Sequence, residues 1–163
     1  MIVPALLALT LAAPNAAAPA GQAPVKSCPV VVVRDPSAVP HGQVVVGVGD
    51  PDDCADTLTF GFEEAELRQA SLLAVHAWPG SGPVPAGARV ALAEALRVWR
   101  EKYPGVPAGQ EVVPGRPARA LVGLSARADL VVIGRHAGLQ GPGSVRHAVL
   151  SHAHGPVAIV PSS

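Results

Sequence analysis

The chain has 163 residues, enough for one domain of ordinary size, and about half of them (49%) are apolar, so a sizeable core is available. Basic and acidic residues balance at 12 each, which excludes the basic excess of a nucleic-acid protein and the charge of an acidic disordered tail. With two Trp, one Tyr and two Phe there is no aromatic platform for single-stranded nucleic acid, and 17 Gly and 18 Pro without a repeating period exclude collagen.

In chain order, Ile2 to Ala13 is apolar and Ala16-Ala17-Ala18 is a small-residue run, but no basic residue precedes Lys26. A secretory signal wants a positive segment before its apolar stretch, and a dozen residues fall short of the roughly 20 that span a bilayer. Residues 1–27 are therefore read as an Ala/Pro-rich, poorly ordered leader, and the protein as cytoplasmic with no membrane partner. Cys28 and Cys54 lack CxxC spacing and are too few for a disulfide framework, which fits a reducing compartment.

Pro29 to Val33 is a short β-branched run, followed by a Pro-containing linker to residue 42. Val44 to Val48 is a continuous Val run, the pattern of a strand buried on both faces. Asp50, Asp52 and Asp53 form a turn, and capping of the next helix is a stronger reading for them than a cation site. Leu58, Phe62 and Ala65 recur at helical spacing, and Leu72 to Trp78 is a strand interrupted by His76. Ala88 to Glu101 reads as a helix, Gln110 to Val113 as a strand, and Pro117 opens a further helix at a first-turn position. Leu130 to Ile133 is strongly apolar, Ser144 to His152 helical, and Val157 to Val160 a closing strand.

Strands separated by helix-length segments need crossovers. The predicted class is therefore α/β, with a parallel sheet covered by helices on both faces. In such sheets ligands sit beyond the carboxyl ends of the strands where strand order reverses, which points to the ends at Val48, Val75 and Ile133. One internal echo stands out: Cys28-Pro29-Val30-Val31-Val32-Val33 repeats the pattern of Gly155-Pro156-Val157-Ala158-Ile159-Val160. Either two Val-rich strands look alike, or residues 28–42 are a stray strand and linker left from a preceding domain, with the main domain at 43–163.

The segment after Ile133 is the richest in chemistry. Gly134, His136, Ala137, Gly138, Gly141, Gly143 and Ser144 form a glycine-rich loop that feeds a helix. Unpaired amides and the positive end of a helix dipole suit a phosphate, and Ser144 can cap the helix or donate its hydroxyl to an anion. His136 lies on this loop, although a solvated role suits it equally. His147, His152 and His154 have no nearby carboxylate or cysteine to complete a metal set, so no metal site is expected, and helix-end positions explain them. Ser144 with His147 lacks an acidic partner and the G-x-S-x-G elbow, so no catalytic residues are assigned.

Taken together, these segments resemble the universal stress protein domain. The likeness runs from about Val44 to Pro161: Val44-Val45-Val46-Gly47-Val48 is similar to the family's first strand, Phe60-Gly61-Phe62-Glu63-Glu64-Ala65 to its first helix, and Leu73-Ala74-Val75-His76-Ala77-Trp78 to its second strand. Gly115-Arg116-Pro117-Ala118-Arg119-Ala120-Leu121 resembles the opening of its third helix, Ala128-Asp129-Leu130-Val131-Val132-Ile133-Gly134 its fourth strand, and Gly143-Ser144-Val145 through Val160 its last helix and strand. The resemblance implies a Rossmann-like open sheet of five parallel strands in the order 3-2-1-4-5, a homodimer through the last strand, and a role in stress response.

It also implies an ATP site, with Mg²⁺, on the loop pattern G-x2-G-x9-G-[S/T]. Gly134 matches the first glycine and Gly143-Ser144 the end, but Ala137 replaces the second glycine, with Gly138 next to it, and the spacer is about four residues short. Gly49 stands where the family has an acidic residue near the base, with Asp50 one position later. The expected nucleotide-binding set is Val48, Gly49, Asp50, Val75, Ile133, Gly134, His136, Ala137, Gly138, Gly143, Ser144 and Val145. The expected function is a nucleotide-binding regulatory module, with at most slow ATP hydrolysis because no base is visible. A non-nucleotide interaction module of the same fold is the alternative, and an exported binding protein a weaker third.

Overall fold

The computed structural model describes residues 28–33, 40–50, 54–80, 82–135 and 144–161. Strand β1 (Val30–Val32) comes first, then β2 (Gln43–Val48), helix α1 (Ala55–Arg68), β3 (Ser71–Trp78), α2 (Ala86–Lys102) and β4 (Ala108–Pro114). Helix α3 (Pro117–Ser125), β5 (Leu130–Gly134), α4 (Val145–His152) and β6 (Val157–Val160) complete the chain. The class is α/β, as expected, but the sheet has six strands rather than five and is not wholly parallel. Its order is β1-β6-β5-β2-β3-β4, with β1 antiparallel to β6 and every other pair parallel. With β1 set aside, the other five run in the implied order. The expected dimerisation edge on the last strand is taken: β6 has β5 on one side and β1 on the other.

The continuous apolar runs follow from burial on both faces. Val44, Val46 and Val48 of β2, with Leu130 and Val132 of β5, pack against Leu58, Phe62 and Ala65 of α1 and Leu92 and Leu96 of α2. Val45, Val131 and Ile133 face the other way, against Leu121 of α3 and Val149 of α4. Each fully buried side chain of this size contributes roughly 1.5–3 kcal/mol. Phe62 also stacks on Tyr103 with ring centroids 5.5 Å apart.

The start of α1 departs from expectation. Its N-cap residue is Cys54, which is 3% exposed and makes no side-chain cap bond, and the acidic residue of the first turn is Asp56. Asp50 is exposed and lies upstream of the cap, while Asp52 and Asp53 lie outside the described residues. The first turn is therefore held by packing of Cys54 and by the Leu58 N–H donating to the Cys54 carbonyl at 2.8 Å.

Entry into β2 depends on Asp129, at the head of β5. Its carboxylate accepts the His41 and Gly42 amides at 2.6 and 2.8 Å. Its own N–H donates to the Gln43 carbonyl at 2.8 Å. Gly42, at φ +69°, turns the chain so that its carbonyl accepts both the amide and the hydroxyl of Ser71. Two central strands and their neighbour β3 are thus keyed together at one carboxylate.

Two stability predictions follow from these contacts. Asp129→Ala removes a charged acceptor from two amides and should lower unfolding free energy by about 1–3 kcal/mol in urea titrations. Gly61→Ala in α1 should destabilise, although a helical Gly-to-Ala change ordinarily gains about 1 kcal/mol. A Cβ at Gly61 would lie 2.4 Å from Cγ2 of Val46, a fully buried side chain between α1 and β2. Overpacking of that kind costs about 1–3 kcal/mol. In a double-mutant cycle with Val46→Ala, the two changes should cost less together than the sum of the single effects.

Candidate functional site

The strand order reverses at β2. The chain passes from β2 outward to β3 and β4, then returns on the opposite face to form β5 on the other side of β2. The carboxyl ends of β2, β3 and β5 meet in one cross-strand row, in which Gly47 stands between Val75 and Ile133. All three residues face α3 and α4. A glycine between two larger side chains leaves a notch, and Leu121 of α3 reaches into part of it: a Cβ at Gly47 would meet Leu121 Cδ1 at 3.0 Å. The remainder is a cavity of about 120 Å³, lined by Gly47, Val48, Gly49, Val75 and Ala77 below and by Pro117, Leu121, Ile133 and Val145 at its sides. Among the described residues no titratable side chain lines it.

The first turns of α3 and α4 both border this crevice, through Pro117 and Val145. Ser144, 7% exposed, is the N-cap of α4 and accepts the His147 amide on Oγ at 3.1 Å. The Ala148 amide donates to the Ser144 carbonyl at 3.0 Å. Neither bond uses the amides of Val145 and Arg146. In the cap the Ser144 hydroxyl acts as acceptor and so fixes the start of α4.

The residues expected to bind divide as follows. Val48, Gly49, Val75, Ile133 and Val145 line the cavity, Val48 through its backbone end because its side chain packs toward α1 and α2. Asp50 is exposed just past Gly49 and is not among the lining residues. Gly134 is also not in the cavity wall. Its Cα faces Thr57 of α1, whose Oγ1 would stand 3.0 Å from a Cβ placed there. His136, Ala137, Gly138 and Gly143 lie outside the described residues. Gly47, Ala77, Pro117 and Leu121 line the crevice without having been expected. Strand alternation from Val75 and Gly49 was the available signal for Ala77 and Gly47, whereas Pro117 and Leu121 arrive from a helix that packs across the sheet.

A larger cavity, about 880 Å³, lies at the opposite end of the sheet, among His41, Arg68, Gln69, Ala126, Asp129 and His154. Size does not favour it as the ligand site. It sits at the amino ends of the strands and beside the carboxyl ends of α1 and α3, where carbonyls rather than amides point outward. Burial lowers the pKa of the Arg68 guanidinium and the Asp129 carboxylate opposes that effect. The group stays cationic at neutral pH and is paired with Glu64. Among the described residues no helix is long and apolar enough to cross a membrane.

Comparison with known proteins agrees with this geometry. The Universal stress protein family profile matches residues 41–161. A universal stress protein of Mycobacterium tuberculosis is 41% identical, the match covering 83% of this chain and 52% of the relative. A second from the same species is 37% identical with the same coverage. The chain thus spans about half the length of the curated relatives it matches. Among solved structures, a universal stress protein in complex with cAMP is 26% identical, covers 77% of this chain and all of its own, and superposes with a TM-score of 0.63. One from Archaeoglobus fulgidus in complex with dAMP is 26% identical, covers 74% of this chain and 97% of its own, and has a TM-score of 0.58. By sequence match, strand order and the placing of its crevice, the chain belongs to the universal stress protein family.

Proposed function

We propose that this domain is a cytoplasmic regulatory module of stress response that binds an adenine nucleotide, ATP with Mg²⁺ included. The base enters the crevice over Gly47, and the phosphates lie toward Ser144 and the first turn of α4. The observation that carries this reading is the apolar notch at the reversal point, bordered by the first turn of α4, the positive end of a helix capped by Ser144. Two relatives of the same fold, each 26% identical, hold cAMP and dAMP. Drug-sized ligands occupy pockets of roughly 300–1,000 Å³, so a cavity of about 120 Å³ takes a flat ring and leaves sugar and phosphate outside. The module holds its nucleotide with at most slow hydrolysis.

A second reading has one specific observation in its favour. Gly49 offers no side chain where the family presents an acid, so a charge-assisted bond to the ligand is missing, and a fold-conserving interaction module without nucleotide affinity would show that same loss. Calorimetric and thermal-shift titrations with ATP, AMP and cAMP, with and without Mg²⁺, separate the two. Nucleotide at 100 times its dissociation constant should stabilise the protein by about 2.7 kcal/mol, a rise of roughly 5–10 °C in Tm. Absence of any response at millimolar nucleotide rejects the first reading.

Two variants locate the site. A Cβ at Gly49 meets no atom within 4 Å, so Gly49→Asp fits without repacking. It should tighten adenine-nucleotide binding by one to two decades, from a charge-assisted hydrogen bond of about 1.5–3 kcal/mol. Val145→Trp fills the crevice from α4 and should weaken binding at least about tenfold, with a loss of about 1–3 kcal/mol in the stability of the ligand-free protein because Val145 packs on the α3/α4 core. Both affinities are read by calorimetry.

A further inference from the structure

His76 interrupts an otherwise apolar strand, and its side chain is not in the crevice wall. It lies on β3 directly across the parallel ladder from Val48, the last residue of β2. Its ring nitrogen Nδ1 stands 3.0 Å from the Val48 carbonyl oxygen. A carbonyl only accepts, so Nδ1 carries the hydrogen and donates it. Beyond this point the two strands part. β3 runs on beside β4 as far as Trp78, opposite Pro114, while β2 ends and the chain bends at Gly49. The ring thus ties β2 to β3 at the last rung of their ladder.

We infer that His76 is a positioning residue for the base end of the nucleotide site: by holding the Val48 carbonyl it orients the Val48–Gly49 peptide and presents the Gly49 amide to the crevice. The inference rests on the nucleotide reading above and deepens it. A peptide unit is planar and trans, so its N–H points opposite to its C=O. β2 lies between β3 and β5. With the carbonyl drawn toward His76 on β3, the Gly49 N–H points away from β3, to the β5 side of the crevice that Val48 and Gly49 both line. Gly49 cannot fix this peptide through a side chain of its own, and glycine is the residue with the most backbone freedom to lose. A tie from the neighbouring strand supplies the missing restraint.

His76 acts from the layer opposite the crevice. Ala74 and Trp78, two residues to either side of it on β3, pack with the core under α1 and α2, whereas Val75 and Ala77 line the crevice on the other face. The half-buried ring stays out of the crevice, and its effect passes through the peptide it holds. That geometry asks for a donor on the atom bonded to Cγ. Asn carries an amide nitrogen there, as His carries Nδ1, and can reach the same carbonyl. The Gln amide sits one carbon farther out, and Phe keeps a ring but has no donor.

The test uses the full-length chain and two probes, AMP and ATP with Mg²⁺, titrated by calorimetry well below the melting temperature of every variant. His76→Phe should weaken both nucleotides by the same factor, about five- to tenfold, the worth of one backbone hydrogen bond, because the base end is common to them. His76→Gln should lose as much, and His76→Asn should bind close to wild type. A role confined to stability would lower the melting temperature and leave the dissociation constants unchanged. If His76→Phe does not fold, the contrast between His76→Asn and His76→Gln carries the comparison. Equal losses in those two variants overturn the inference, and so does a loss that is larger for ATP than for AMP. A wild-type chain that binds both nucleotides while folded His76→Phe binds them equally well overturns the inference alone. A wild-type chain that binds neither overturns it together with the nucleotide reading.

Discussion

The crevice exists because the chain leaves β2 toward β3 and returns beside it as β5. That reversal puts α1 and α2 on one face and α3 and α4 on the other, since crossovers of one hand moving in opposite directions along a sheet must lie on opposite sides. Among the described residues, the crevice opens at the carboxyl ends of these strands, between the diverging connections. Gly47 then decides the shape of the gap. A side chain there would collide with Leu121 and crowd Ile133. The notch is thus a consequence of topology sharpened by one missing Cβ, and the helix that closes its side is the one that opens with Pro117.

Charge reaches this site through the backbone. Among the described residues the walls are Gly, Val, Ala, Pro, Leu and Ile, which reward a flat apolar ring. Polarity enters at the mouth, where α4 begins. The Ser144 cap fixes the helix start by accepting one amide, and the helix dipole adds a partial positive charge of about half an elementary unit at that end. A ligand that is apolar at one end and anionic at the other matches this gradient. The cavity at the opposite end of the sheet, although larger, has the reverse polarity, with helix carboxyl ends and Asp129 beside a guanidinium already paired with Glu64.

The strands and helices were largely legible because burial on both faces turns strands into unbroken apolar runs and leaves helices their 3.6-residue stripe. Leu130 to Ile133 and Val157 to Val160 needed almost no adjustment. β4 runs from Ala108 to Pro114, longer than the Gln110 to Val113 expected, because Ala108, Gly109 and Pro114 are poor strand formers held by pairing with β3. α1 starts at Ala55 behind Cys54, an N-cap that is not among the residue types a sequence flags for that position. Of the residues that line the crevice, Ile133 and Val145 were legible from their places near element ends and Val75 from its apolar strand. Pro117 and Leu121 were not, since a residue that reaches a cavity from a packed helix leaves no local pattern that distinguishes it from ordinary core.

The sheet edge and the crevice share a strand. The carboxyl end of β5 is tied to that of β6 by the pairing of Gly134 with Val160 and by the Arg135 amide, which donates to the Val160 carbonyl at 2.7 Å. Arg135 is therefore held by β6, and the outer side of β6 is held by β1. The three-residue strand at the far edge thus completes the ladder to which the end of β5, one wall of the crevice, is fixed.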